Sequence, residues 1–540
     1  MTTPVRKRMT VLGLLAVAAL PVVAEGTTQP DMLSFNLGFD PIVQARISVL
    51  HAPARRTTRS LPSIATMTPA ERRAAIDAFW GPGRSAAEEL KIFDTFWQYV
   101  DTKSAAFQNL DVDWPALRAT YRGEVANGVS RGRFAAIMNK LSLALRDSHS
   151  FALDLLVNGY TVPEPGVPLM GVSGWIADTS GACLTAQDDG SALVYSAVPN
   201  HPLGLVPGDR ILGYDGRPWT DLYHELLYQE LPIWPVWWGT TPSSFEHTFV
   251  MSAGINWHLF DTMDIAKQAT GQVVHMPTSL MPGAIFWGFC SEQLDIPGIP
   301  KPTFTVDDLV SAGVVPGTRI GYIYSWGWFG DAADEFTEAV YQLTQVEHVE
   351  GLIIDFRFNE GGFLDAPFRG LGVLAQHPTA TIGMDERRSP FDHFAMQAVF
   401  QPAQFTLDFD HSLRRRVIPV KSTYDGPIAV LVGPGAVSAG DFGALWSTYL
   451  PRVRTFGKST AMAVGLPTQQ SLGTVIDLGP DWLTRVAETN SCRTDSPKSF
   501  LIHTEFPVDE LVWLTPADVA VGRDTVVTAA MKWLAAQIGQ

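Results

Sequence analysis

The chain has 540 residues, a formal net charge of −16, 46% hydrophobic residues and 17% charged ones. That length exceeds one ordinary core and sets an expectation of two to four domains, while the composition excludes a disordered chain. The acidic balance argues against nucleic acid and anionic membranes as partners.

Arg6, Lys7 and Arg8 precede an apolar run from Met9 to Val23, and Val22 and Ala24 give a small-residue cleavage pattern before Glu25. This is the pattern of a secretory signal peptide over 1–24, and it predicts a periplasmic or secreted protein. The run is short for a span and holds Pro21, so no stable membrane insertion is expected. Residues 25–84 are weakly patterned and read as an N-terminal arm. Leu90, Phe93, Phe96, Trp97 and Val100 recur at helical spacing. With "DWPALRATYRGEV" and "RGRFAAIMNKLSLAL" they predict a helical domain over 85–160.

Residues 165–230 change to strand and turn chemistry. "ALVYSAV" is strand-like, and Pro207-Gly208-Asp209 and Asp215-Gly216 are turn sequences, so a small β-rich module is expected. Residues 231–304 hold Trp234, Trp237 and Trp238 without clear periodicity and read as an aromatic-rich insertion or lid. From 305 to 540, strands such as "RIGYIYSW", "GLIIDFRF" and "PIAVLV" alternate with helical stretches. The fold class is therefore α/β or mixed α+β, with a sheet covered by helices. Cys183, Cys290 and Cys492 show no metal-ligand spacing and are compatible with one bridge or three buried thiols. No metal or cofactor is implied.

Three stretches could carry chemistry. In "GPGAVSAGDFGALW", Ser438 lies where an apolar strand gives way to a helix. It reads either as an N-cap or as a nucleophile with the Ala439 amide aimed at an oxyanion. In "FNEGGF", Gly361 and Gly362 let the backbone approach a ligand, and an amide there would be a second oxyanion donor. In "RDSHS", His149 is a residue type that deprotonates a serine near neutral pH.

Taken in order, "RDSHS", "GLVPGDRILGYDG" (204–216), "IDFRFNEGG" (354–362), "SAGD" (438–441) and "VDELVWLTPADVAVGRD" resemble the C-terminal processing (tail-specific) serine peptidase family. The resemblance spans roughly 85–540. It implies a helical cap, a PDZ-like module over 165–230 and an α/β peptidase core over 305–540. It also implies a polypeptide substrate and Ser438 as nucleophile.

The sequence departs from the family's Ser-Lys pattern. In "GKSTAMAVG" the lysine position falls on Ala463, and Lys458 occupies the position of the family's glutamate. A second branch, resembling the tricorn core protease and the chlamydial protease-like factor, uses Ser, His and Glu. That likeness implies His149 as the base and Glu505 as the third member, with Glu488 the other candidate; the strict register falls on Ile502. The expectation is an exported serine endopeptidase acting through an acyl-enzyme, with Ala439 and Gly361 or Gly362 at the oxyanion. A non-catalytic peptide- or apolar-ligand-binding member of the fold and a Ser-Lys peptidase using Lys458 are the alternatives. A homodimer is left open.

Overall fold

The computed structural model describes residues 63–158, 169–173, 180–235, 239–285, 287, 290–302, 308–375, 379–387, 400–409, 424–466, 476–493 and 499–538. The expected signal segment, most of the arm, and Trp237 and Trp238 lie outside them, as does the side chain of Trp234. No helix among the described residues is long and apolar enough to cross a membrane.

The arm is not irregular throughout: it holds helix α1 (Pro69–Trp80). Thr68 and Glu71 form a capping box at its start, and Pro69 opens the first turn. Helix α2 (Ala86–Lys103) begins with a second capping box, Ser85 and Glu88, and buries Phe93, Phe96 and Val100. Helices α3 (Trp114–Ala126) and α4 (Arg131–Ala144) follow. Every residue of α4 from Gly132 to Leu143 is buried, so α4 is the centre of this helical layer. A tight turn then leads into strand β1 (Phe151–Asp154).

The module's sheet has the antiparallel order β2 (Ala182–Ala186), β3 (Ala192–Ala197), β4 (Arg210–Tyr214), β5 (Thr262–Ala266) and β6 (Val273–Pro277). The last two strands come from the stretch expected to be an insertion, so the sheet continues across position 230. Between β4 and β5 lies helix α5 (Pro242–Met251), capped by Thr241. A disulfide joins Cys183 on β2 to Cys290, and Cys492 is buried with its Sγ donating to Gly383 O at 3.6 Å.

The core runs through β7 (Val310–Val314), β8 (Ile320–Ser325), α6 (Ala332–Tyr341), β9 (Gly351–Asp355), α7 (Asp365–Leu371), β10 (Thr379–Arg387) and β11 (Phe400–Phe409). It continues through β12 (Ile428–Val432), α8 (Ala439–Ser447), β13 (Val453–Gly457), β14 (Gly465–Leu466), β15 (Trp482–Arg485), β16 (Thr489–Arg493), β17 (Glu510–Leu511) and α9 (Thr525–Ile538). The central sheet has the order β7-β8-β9-β12-β13-β17, parallel from β8 onward.

Strands β8, β9 and β12 are buried at every position, as parallel strands with helices on both faces must be. Gly351 shows how closely α9 packs: a Cβ there would stand 3.2 Å from Leu534 and from Ile538. Aromatic side chains fill the other face. Trp328 lies 5.6 Å from Phe336 and 5.8 Å from Phe356 between ring centroids, and Phe368 lies 5.5 Å from Trp446. Such pairs each add about 0.5–1.5 kcal/mol beyond area burial. An antiparallel sheet, β11-β10-β16-β14, flanks this core. Strand β15 pairs with β1, Phe151 opposite Arg485, and so ties the end of the helical layer to the core.

Candidate active site

Strands β9 and β12 are parallel neighbours, so the loops after Asp355 and Val432 emerge side by side. A crevice at the carboxyl ends of parallel strands is where such sheets bind ligands. Here it brings "FNEGGF" against "GPGAVS". Asn359 fastens the two: its N–H donates to Gly435 O at 3.1 Å, and its carbonyl accepts from Val437 N at 3.0 Å. Its Nδ2 donates to Ser325 O at 2.8 Å.

An ion cluster holds the loop's base. Arg357 is fully buried and bonds Asp355 (2.6 Å) and Asp524 (2.9 Å). Tyr322 donates to Asp355 Oδ2 at 2.7 Å, and Asp524 also accepts Val526 N at 3.0 Å at the start of α9. Asp355 and Asp524 keep the Arg357 guanidinium charged despite its burial.

Ser438 has φ +58° and ψ −119°. An N-cap residue has extended backbone, and a non-glycine residue in the positive-φ region stores strain. The turn is held by Asp441, which is wholly buried and accepts Ser438 N (2.8 Å), Met462 N (2.7 Å) and Ala463 N (2.8 Å). Burial pushes the Asp441 carboxyl up to about 7, against the pull of these donors. Contact across the crevice is close. A Cβ on Gly361 (φ +88°) would stand 2.6 Å from Val437 O and 2.9 Å from Ser438 Cβ, and one on Gly440 would stand 2.2 Å from Asn359 O.

The expected oxyanion donors separate here. Gly361 N donates to Asn359 Oδ1 at 3.1 Å and is already engaged. Gly362 N and Ala439 N have no partner among the described residues. Gly362 (φ +136°) is seated by a short bridge to Trp328, where Trp328 N donates to Gly361 O at 2.7 Å and Phe363 N to Trp328 O at 2.9 Å.

His149 is buried in the turn between α4 and β1. Asp147 brackets that turn, accepting His149 N at 3.1 Å and the Ser150 hydroxyl. Burial, with the Arg485 charge beside it, holds the imidazole well below its ordinary value, and a bond to the Gly465 backbone opposes this only partly. Burial raises the Asp147 carboxyl to about 6. Thus the loop after β13 meets both partners: Met462 and Ala463 reach Ser438 through Asp441, and Gly465 reaches His149.

Glu505, expected to orient the imidazole, is instead exposed and binds Ser243 at the start of α5, accepting from its N (3.0 Å) and Oγ (2.6 Å). The contact caps a helix start, which attracts a carboxylate. Glu488 accepts from Tyr99 Oη. Ile502, the register position, is buried with its Cδ1 3.5 Å from where a Gly465 Cβ would stand. Lys458 turns toward the module, 3.0 Å from Asp188 Oδ1 and 3.3 Å from Ala186 O, with its ammonium over the Trp513 ring. Sequence reasoning missed Asn359, Asp441 and Gly465 as the fasteners of the site.

The model of peptidase family S41 matches residues 319–488. That stretch is similar to the S41 peptidase domain. The matched stretch contains Ser438, Gly361 and Gly362 but not His149 or Glu505. Among solved structures, mature CPAF complexed with lactacystin is similar to this chain at 13% identity and TM-score 0.56, over 84% of this chain and 99% of that one. Mature CPAF gives 14% identity and TM-score 0.53, over 84% and 98%. A putative peptidase from Parabacteroides merdae is 16% identical over 84% and 97%, with TM-score 0.46. The two CPAF likenesses show a shared, mixed α+β fold. No curated protein sequence matches the chain.

Proposed function

We propose that the protein is a serine peptidase, as the family match over residues 319–488 supports. Beyond that, we propose that it is exported and cleaves polypeptides through an acyl-enzyme formed on Ser438. The observation that carries this is the strained Ser438 turn, φ +58°, together with the N–H groups of Ala439 and Gly362, which have no partner among the described residues.

In this reading His149, kept neutral by burial, takes the proton from Ser438 Oγ as it attacks the substrate carbonyl. The new C–O bond leaves an oxyanion, which accepts from Ala439 N and Gly362 N. Collapse breaks the C–N bond, and the imidazolium gives its proton to the leaving amine. Water, deprotonated by the same imidazole, then releases the acid. The Gly465 backbone, bonded to the ring, sets its orientation. The β2–β6 module acts as the PDZ-like element, taking a chain end by strand addition or gating the crevice.

The test is a fluorophosphonate probe on the purified chain. Labelling is expected in the wild type, lost in Ser438→Ala and reduced in His149→Ala. Labelling that survives Ser438→Ala refutes the nucleophile assignment, and undiminished labelling in His149→Ala refutes the base.

A further inference from the structure

Glu360 stands immediately before the two glycines of the crevice, and its backbone is fixed by donation of its N–H to Trp326 O at 2.9 Å. Its side chain is mostly sheltered, yet no hydrogen bond or ion pair reaches its carboxylate among the described residues. Burial alone pushes the carboxyl up to about 7. Unlike Asp441 and Asp355, it is given no donor by the fold.

Its neighbours are also incomplete. The Tyr324 hydroxyl, on β8, lies within electrostatic reach of both Glu360 and Ser291. Tyr324 is 1% exposed and Ser291 0%; the two hydroxyls face one another, and neither has another hydrogen-bond partner among the described residues. The adjoining module residues continue the pattern. Both amide atoms of Gln293 and Oε2 of Glu292 are buried without a partner among the described residues. Native proteins satisfy the great majority of buried polar atoms, so this concentration beside a nucleophile calls for a ligand.

The chemistry of the seam selects the ligand. Its free atoms are mostly acceptors, and the cations nearby are engaged: Arg357 by Asp355 and Asp524, and Lys301 by Gln293 O and Asp295. A sheltered carboxylate is costly unless a cation with hydrogen-bond donors meets it. A lysine ammonium carries three N–H donors and an arginine guanidinium five, enough to serve Glu360, Tyr324 and Ser291 together.

We infer that Glu360, with Tyr324 and Ser291, forms a specificity pocket of the peptidase that receives a basic side chain, lysine or arginine, flanking the bond to be cut. This rests on the peptidase reading, and the tests separate the two.

Fluorophosphonate labelling of the wild type at Ser438 reports on the peptidase reading alone. The pocket is read by fluorescence anisotropy on the full-length Ser438→Ala chain, using peptides that differ only in lysine, arginine, norleucine or glutamate at one position. Basic peptides are expected to bind at least about tenfold tighter than the norleucine peptide, and Glu360→Gln in the same background to bring the ratio to within about twofold. Equal binding of lysine and norleucine peptides, or a preference that survives Glu360→Gln, overturns the inference. A second measurement needs no variant: benzamidine is expected to displace the lysine peptide from the Ser438→Ala chain at least about tenfold better than neutral benzamide, and equal displacement overturns the inference as well.

Discussion

Asp441→Asn probes the device that strains Ser438. The carboxylate accepts three backbone N–H groups: Ser438 and Ala463 on Oδ2, and Met462 on Oδ1. An asparagine of the same shape offers one acceptor oxygen. Whichever way its amide turns, at least one of those N–H groups faces another donor. A buried N–H left in that state costs about 1–3 kcal/mol, so the protein should lose about that much stability. The loss falls on the bond that pins the nucleophile turn or on the bonds that pin the loop behind it. If half to all of it appears as misplacement of Ser438 Oγ, the rate falls by about twofold to about 160-fold. The assays are urea unfolding and the second-order rate constant for fluorophosphonate labelling. A variant that unfolds at the wild-type urea midpoint and labels at the wild-type rate would show that Asp441 does not hold the turn.

Gly440→Ala places a Cβ 2.2 Å from the carbonyl oxygen of Asn359, backbone against backbone; expect labelling to drop at least about tenfold and stability by about 1–3 kcal/mol in urea. Asp524→Ala leaves Arg357 buried with one carboxylate of two and uncaps α9; expect a loss of about 3–5 kcal/mol in the free energy of urea unfolding. The pH profile of labelling should reflect a neutral His149. Its value is lowered, so the active, unprotonated form persists at pH 6, where an ordinary histidine would be about three-quarters protonated. The same depression means that His149 contributes stability above its unfolded value, lost as the pH falls below about 6.5 because the unfolded chain takes the proton first. An acid limb centred near 6.5 that persists in Asp441→Asn, Asp147→Asn and Glu360→Gln, each of which removes one of the other carboxyls raised to about 6 or 7, would contradict the burial argument.

Where a residue's role depends on its own strand or turn, the sequence carried it. Ser438 was visible because five apolar residues end in a small-residue turn that opens a helix, and the "DFRFNEGG" run was visible for the same reason. The capping box at Thr68 and Glu71 was equally legible, and α1 was missed because the arm was taken as a whole. Contacts across the fold were another matter. Ser243 and Glu505 are 262 positions apart, and nothing in either segment announces that the carboxylate caps α5. Strand β6 has no buried residue, with exposed and part-buried positions alternating, so its apolar signal was too weak to extend the module past 230. Gly440 and Gly361 are needed for close approach between two loops, a reason that only the folded crevice displays.

The choice between a lysine and a histidine base turns on what a resting base requires. A proton acceptor must be unprotonated before the reaction, which for lysine means uncharged, so a lysine in that role needs an apolar setting without a carboxylate. Lys458 is in the opposite setting, with Asp188 3.0 Å from its ammonium and the Trp513 ring beneath it, and these contacts draw it toward the module. Position 463 is alanine, and its contribution is an N–H to Asp441. His149 meets the requirement by burial and by the neighbouring Arg485, both of which disfavour the imidazolium. The same features make the imidazolium expensive once it forms. The bond to the Gly465 backbone opposes that cost, and since Gly465 follows the segment that Asp441 ties to Ser438, ring orientation and nucleophile strain are set by one loop.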